Sequence, residues 1–243
     1  MAISKSFPAG VGVESVTSAA STTSNAYNST GSTHVLAFYK HEGATCTVTP
    51  SATNVAAGNW TGNASTKQGN GVSDSWGQFF WAKIDTPGSG QTLTVDHAGN
   101  SRSFRTLIVW LMNADSGIIT KIDEKSTNGN NAAPTAGTLS NAGGASVVSF
   151  MGVAEYVGTN YTVGSGWTED WDVWTGTVNS TYGESRGPET TASITADCTS
   201  SSQQWAAIAL CFRDNVGDAV PDMASTIETS GRRPRGFAPG LAR

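Results

Sequence analysis

Charge is what this chain has least of. Only 14% of its 243 residues are Asp, Glu, Lys or Arg, against roughly 25% in an ordinary soluble domain. Ser, Thr, Asn and Gly stand in their place. They give a surface that hydrogen-bonds without long ionic side chains, and so orders at little side-chain entropy cost. Such a surface suits a secreted or virion β-protein better than a cytosolic enzyme. The net charge of −5 argues against nucleic acid as a partner of the body, because phosphate binding needs a basic footprint. Long apolar runs are missing too. No stretch approaches the roughly 18 residues of a membrane helix, and no membrane partner is expected. The opening MAISKSFPAGVGVES has no apolar segment of the signal-peptide kind, so no secretory leader is expected either.

Cysteine and histidine are equally sparse. Cys46, Cys198 and Cys211 form an odd set without CxxC spacing. Cys211 lies inside an apolar run and reads as a small buried hydrophobe, while a Cys46–Cys198 disulfide is left open. His34, His41 and His97 are scattered, and neither HExxH nor GxSxG occurs. Asp96-His97 reads as a strand-end turn rather than part of a triad. No catalytic residue, metal site or cofactor is expected, and the chain is read as a protein that is not an enzyme.

What is present is β-structure. Short β-branched and aromatic runs fall near 12–17, 33–40, 45–49, 77–84, 91–96, 104–112, 146–154, 166–173, 181–186, 190–196 and 203–213. Between them lie turn formers such as Pro87-Gly88-Ser89-Gly90 and Asn141-Ala142-Gly143-Gly144. No window carries a capped 3.6-residue period. The fold class expected is all-β: an antiparallel two-sheet sandwich, jelly-roll-like, with an extended C-terminal arm. Residues 1–9 are read as an N-terminal extension, 10–213 as the sandwich and 214–243 as the arm. Leu93 and Val95 alternate with Thr and Asp, which predicts one wet face. The runs 107–112 and 205–212 are continuously apolar and are expected to be central strands. Segments 18–33 and 54–75 read as long loops, and no internal repeat is recognisable.

The order of these parts resembles a class of β-sandwich proteins common among tailed-phage virion proteins. The segments that carry the resemblance are THVLAFYK (33–40), WGQFFWAKI (76–84), PGSGQTLTV (87–95), the apolar strand 106–112, GSGWTE (164–169) and WAAIAL (205–210). The resemblance covers most of 10–213 and none of the arm. It implies a jelly-roll-like fold and a structural or surface role, and it carries no catalytic residues.

Two local signals point to binding. In Trp167-Thr168-Glu169-Asp170-Trp171-Asp172-Val173-Trp174, strand alternation sends Asp170, Asp172 and Trp174 to one face. Asp170, Trp171, Asp172 and Trp174 are therefore candidates for ligand contact, since sugars stack on indoles while carboxylates accept their hydroxyls. The plainer alternative is core tryptophan with a polar rim. In the arm, few large apolar side chains are available to offset ordering entropy, so a neighbour is expected to hold it. Arg232, Arg233 and Arg235 would clamp carboxylates, with Phe237 and Leu241 as apolar pegs. A solvated tail and nucleic-acid contact are the competing readings of the same residues.

The function expected is a virion structural protein, specifically a capsid decoration or cement protein on the head surface of a bacteriophage. Its partners would be the major capsid protein or copies of itself, in a homo-oligomer of closed symmetry such as a trimer. The alternative is a carbohydrate-binding module of a head fibre or tail that touches the host surface.

Overall fold

The computed structural model of the chain describes residues 2–8, 12–15, 17–43, 46–62, 67–69, 75–97, 102–155, 161–174, 180–201 and 203–215. Among the described residues the chain is all-β and antiparallel, as the turn-punctuated sequence predicts. Sixteen strands divide at the turn 115–118. The first nine are β1 (Ile3–Ser6), β2 (Val13–Ser15), β3 (Ser21–Thr23), β4 (His34–His41), β5 (Thr49–Ala52), β6 (Lys67–Gly69), β7 (Trp76–Lys83), β8 (Leu93–Asp96) and β9 (Arg105–Ala114). After the turn come β10 (Ile119–Asn131), β11 (Thr135–Ser140), β12 (Val147–Glu155), β13 (Thr168–Trp174), β14 (Ser180–Glu189), β15 (Ser193–Asp197) and β16 (Gln203–Asp214).

The two halves repeat one topology. The large sheet of the first half runs β1-β9-β4-β7-β6, with β2 following β1 along the same edge of β9. That of the second runs β10-β16-β12-β14-β13. With β1 and β2 counted as one strand, in both halves the opening strand pairs with the last, the last with the third, and the third with the strand just before the last small-sheet strand. The small sheets, β3-β8-β5 and β11-β15, pair the second strand with the penultimate one. This is jelly-roll order, made twice. The repeat is invisible in the sequence because equivalent positions have different chemistry. Phe38 faces Ile108 in the first half, where Gly152 faces Ile208 in the second.

Three apolar cores join four layers. One lies between the first half's two sheets, with Val35, Ala37, Leu93, Val95 and Val109. Another fills the second half, with Leu139, Met151, Val153, Ile194 and Ala209. The third lies between the two large sheets and combines Leu36, Phe38, Ile108 and Trp110 with Val148, Phe150, Ile208 and Leu210. The central strands β4, β9, β12 and β16 are thus buried on both faces, which explains their unbroken apolar runs. Each fully buried Leu or Phe contributes about 1.5–3 kcal/mol, so the third core binds the halves into one body. Phe38 interlocks them. A Cβ on Gly152 would meet its ring at 2.5 Å, and one on Gly77 at 2.6 Å.

Where strands were not expected, pairing overrode composition. The longest strand, β10, is polar nearly throughout and half-exposed, yet it pairs along the whole of β16. The expected loop 18–33 contains β3, and the expected loop 54–75 contains β6. A strand expected at 45–49 begins instead at Thr49 and carries Pro50 on a sheet edge, where a missing N–H is tolerated. Within the N-terminal extension, Ile3 is fully buried in the central core and β1 pairs with β9. The turn between halves is tied to the end of β16. Asp214 accepts the Ser116 N–H (3.3 Å) and hydroxyl, and Gly117 takes φ 72°.

Candidate functional site

The acidic–aromatic run forms β13, but its alternation breaks. A bulge lies between Glu169 and Trp171 in the pairing with β14. Asp170 turns inward, accepting the Trp110 indole N–H (2.7 Å) and the Ser185 hydroxyl. Burial raises its pKa, against those hydrogen bonds and Lys5. Trp171 packs half-buried on the central core, edge-on to Phe7 at 6.4 Å, and its indole nitrogen has no partner among the described residues. Asp172 is exposed. The expected face shared by Asp170 and Asp172 is therefore not formed, because the bulge assigns Asp170 to the seam between halves. The side chain of Trp174, and Arg232, Arg233, Arg235, Phe237 and Leu241, lie outside the described residues.

The remaining polar chemistry gathers where the third strand of each half ends. In the first half that strand ends at His41. Tyr39 donates its hydroxyl to His97 Nε2, and His97 Nδ1 lies 3.1 Å from the Ala19 carbonyl. A carbonyl only accepts, so Nδ1 carries the proton and Nε2 is free to accept. Cys46 Sγ lies 3.7 Å from His41 Nε2. Arg105 closes the group, donating to Ser15 Oγ (3.0 Å), the Thr17 carbonyl (3.0 Å), Thr22 Oγ1 (2.6 Å) and the Ser21 carbonyl. On the other face of β4, fully buried Lys40 binds Glu42 at 2.9 Å, and burial lowers its pKa to about 8 despite that partner.

In the second half the equivalent strand, β12, ends at Glu155. Its carboxyl accepts the Tyr161 hydroxyl and, at 3.4 Å, Ser200 Oγ, while Tyr161 and Ser180 oxygens lie 2.6 Å apart. Burial pushes Glu155 up to about 7. Tyr161 stacks on Tyr182 with centroids 4.7 Å apart, and Tyr182 donates to Glu184 at 2.9 Å. Glu184 also accepts the Gly164 N–H (3.2 Å), its second oxygen has no partner among the described residues, and burial raises it to about 8. Burial thus holds the protons of both carboxyls to well above the ordinary carboxylate range.

Above this network lies a cleft of about 380 Å³ lined by Thr135, Thr162, Val163, Gly164, Asp197 and Thr199, with Cys198 among its walls. The segment bearing Thr162 and Val163 is fastened by reciprocal backbone bonds between Thr162 and Thr199 (2.8 and 3.0 Å) and by the Arg186 guanidinium on the Ser165 carbonyl (3.0 Å). Burial drives the Cys198 thiol far above its ordinary range, followed by the nearby carboxyls of Glu184, Glu155 and Asp197. It is a poor nucleophile in that state. Cys46 and Cys198 lie in the cores of different halves, and no disulfide joins them. Sequence reading missed Glu155, Glu184, Tyr161 and Tyr182. For Glu155 the available signal was a lone acid ending an otherwise uncharged strand, whereas Glu184 shares its strand with Arg186 and Glu189 and carried no such signal.

Comparison with known proteins adds little to this geometry. No family model and no curated protein matches the chain. A solved structure of the PBSX exported protein XepA aligns over 84% of this chain and 86% of its own, at 10% identity and a TM-score of 0.22. Superposition that loose carries no argument about either fold or function.

Proposed function

We propose that this chain is a virion structural protein of the decoration or cement type, which joins neighbouring components of a phage head by two opposed faces. The observation that carries the reading is the four-layer stack. Its outermost layers are the small sheets, and each turns a row of short hydroxyls outward. On β3, β8 and β5, Thr23, Thr94 and Ser51 lie side by side, with Thr23 and Thr94 oxygens 2.8 Å apart. On β11 and β15, Thr138 faces Thr195 and Ser140 faces Ser193, all exposed. Such side chains lose little entropy on docking, and two rigid faces on one body supply bivalent attachment, which multiplies weak contacts. Contacts across a subunit boundary lower the free energy of the assembled shell relative to its parts. The arm, with Arg232, Arg233, Arg235, Phe237 and Leu241, adds a third attachment in this reading, and the assembly partner is the major capsid protein or another copy.

The test uses phage heads made without this chain. Arginine pairs placed at Thr23 and Thr94, or at Thr138 and Thr195, each remove one face. Single-face variants should still bind the shell but lose protection against heating, and the four-site variant should lose both. Equal protection by the four-site variant would overturn the bridging mechanism. A chain ending at Asn215, which keeps the whole of β16, reports the arm separately and should bind more weakly than the full chain.

A further inference from the structure

The second half, residues 115–215, contains eleven Asp and Glu but only four Lys and Arg: Lys121, Lys125, Arg186 and Arg213. Arg186 is bound to Glu189 at 2.6 Å. The other three line a single cleft of about 480 Å³ between β10 and the turn 140–143, at the end of the sandwich remote from Glu155. Cations this scarce do not gather without an electrostatic cost, so how each is neutralised matters.

Two are satisfied within the wall. Lys121 pairs with Glu124 and lies 5.4 Å from the centroid of the Trp81 ring. Lys125 binds Asp123 at 3.1 Å. Asp123 is further held by the N–H groups of Ser140 (2.7 Å) and Glu124 (2.8 Å). Both carboxylates are therefore engaged before Arg213 can reach them. The Arg213 side chain is half-buried and makes no hydrogen bond or ion pair among the described residues. One guanidinium nitrogen lies 4.0 Å from the Cβ position of Gly143, in a turn closed by Gly144 N–H on the Asn141 carbonyl (3.1 Å). A half-buried guanidinium with five donors and no acceptor lacks its complement.

We propose that this cleft is an oxyanion site, in which Arg213 clamps a carboxylate or phosphate group by two parallel N–H···O bonds, with Lys125 and Lys121 raising the local potential. The planar fork fits either group. The paired lysines hold the anion less tightly than Arg213 does, because each already faces a carboxylate.

The test follows the side-chain Nε–H resonance of Arg213 by NMR in the full-length chain at constant ionic strength, titrating inorganic phosphate in one arm and acetate in the other. Binding in about the millimolar range is expected in at least one arm, with Arg186 as internal control. Response to phosphate alone identifies a phosphate site, and response to acetate alone identifies a carboxylate site. Arg213→Gln should weaken binding about tenfold and Lys125→Met only two- to threefold, roughly the contrast between a bidentate clamp and a point charge. The proposal is overturned if Arg213 moves no more than Arg186 in both arms. Unchanged affinity in Arg213→Gln would overturn it equally.

Discussion

The two halves of this molecule share a strand order and differ in almost everything placed upon it. The strand that ends at His41 in the first half ends at Glu155 in the second. The Asp that closes the penultimate strand is followed by His97 in one and Cys198 in the other. The first half binds its buried polar end with imidazoles and an arginine that donate to carbonyls and hydroxyls. The second uses tyrosines that donate to buried carboxyls. Topology therefore leaves the polar chemistry of the sandwich ends free, provided that every donor finds an acceptor. What the fold does not leave free is the central core, where the halves must fit each other.

The comparison can be broken most severely at that core. Trp110→Ala should cost about 3–5 kcal/mol, since it empties space beside Phe79 and Phe150 and strips Asp170 of an indole donor. Urea unfolding followed by both fluorescence and far-UV circular dichroism should remain one transition at a lower midpoint. Two separated transitions would mean that the halves are independent units. Gly152→Val should cost about 1–3 kcal/mol through overpacking against Phe38. The equivalent exchange in the other direction, Phe38→Gly, should instead fail by leaving a cavity.

A third experiment sharpens the contrast by sign. Glu155 and Glu184 keep their protons to about 7 and about 8 in the fold, against 4.5 ordinarily. Stability they contribute is present in full below pH 4.5 and is lost as pH rises through those values. Lys40 loses its proton at about 8 rather than 10.5, so between those limits the unfolded chain binds more protons and stability rises with pH. The urea midpoint should thus fall from pH 5 to 8 and recover only between about 8 and 9. Above that the unfolded chain ionises Cys198 and Cys211 while burial keeps their thiols protonated in the fold, so stability falls again. Glu184→Gln should flatten the falling limb, and Lys40→Met should abolish the recovery. The smallest effect expected is at the outer faces, where Thr138→Val should change stability by no more than about 0.5 kcal/mol.

Much of the fold was legible because burial writes itself into strand patterns. The unbroken runs ending in Met112 and Phe212 are central strands, and Leu93 and Val95 point inward beside the half-exposed Thr94. The long polar β10 was not legible, since its stability comes from pairing along the whole of β16 rather than from its own composition. Nor was the candidate cleft, because Glu155 and Glu184 are joined through Tyr161 and Tyr182, contacts that only the folded sheet creates. In the acidic run, a one-residue bulge sufficed to part Asp170 from the face it was expected to share with Asp172 and to turn it into the seam.

The ring of Phe38, seated over Gly152 and Gly77, makes the two halves unlike partners in a tandem heterodimer. Two copies of the first half would set one Phe38 against another, and two copies of the second would leave a void between facing Gly152 residues. Each half consequently recognises its covalent neighbour better than it recognises itself. That preference disfavours the pairing of like halves from two molecules, so a first half meets a second half whichever chain supplies it.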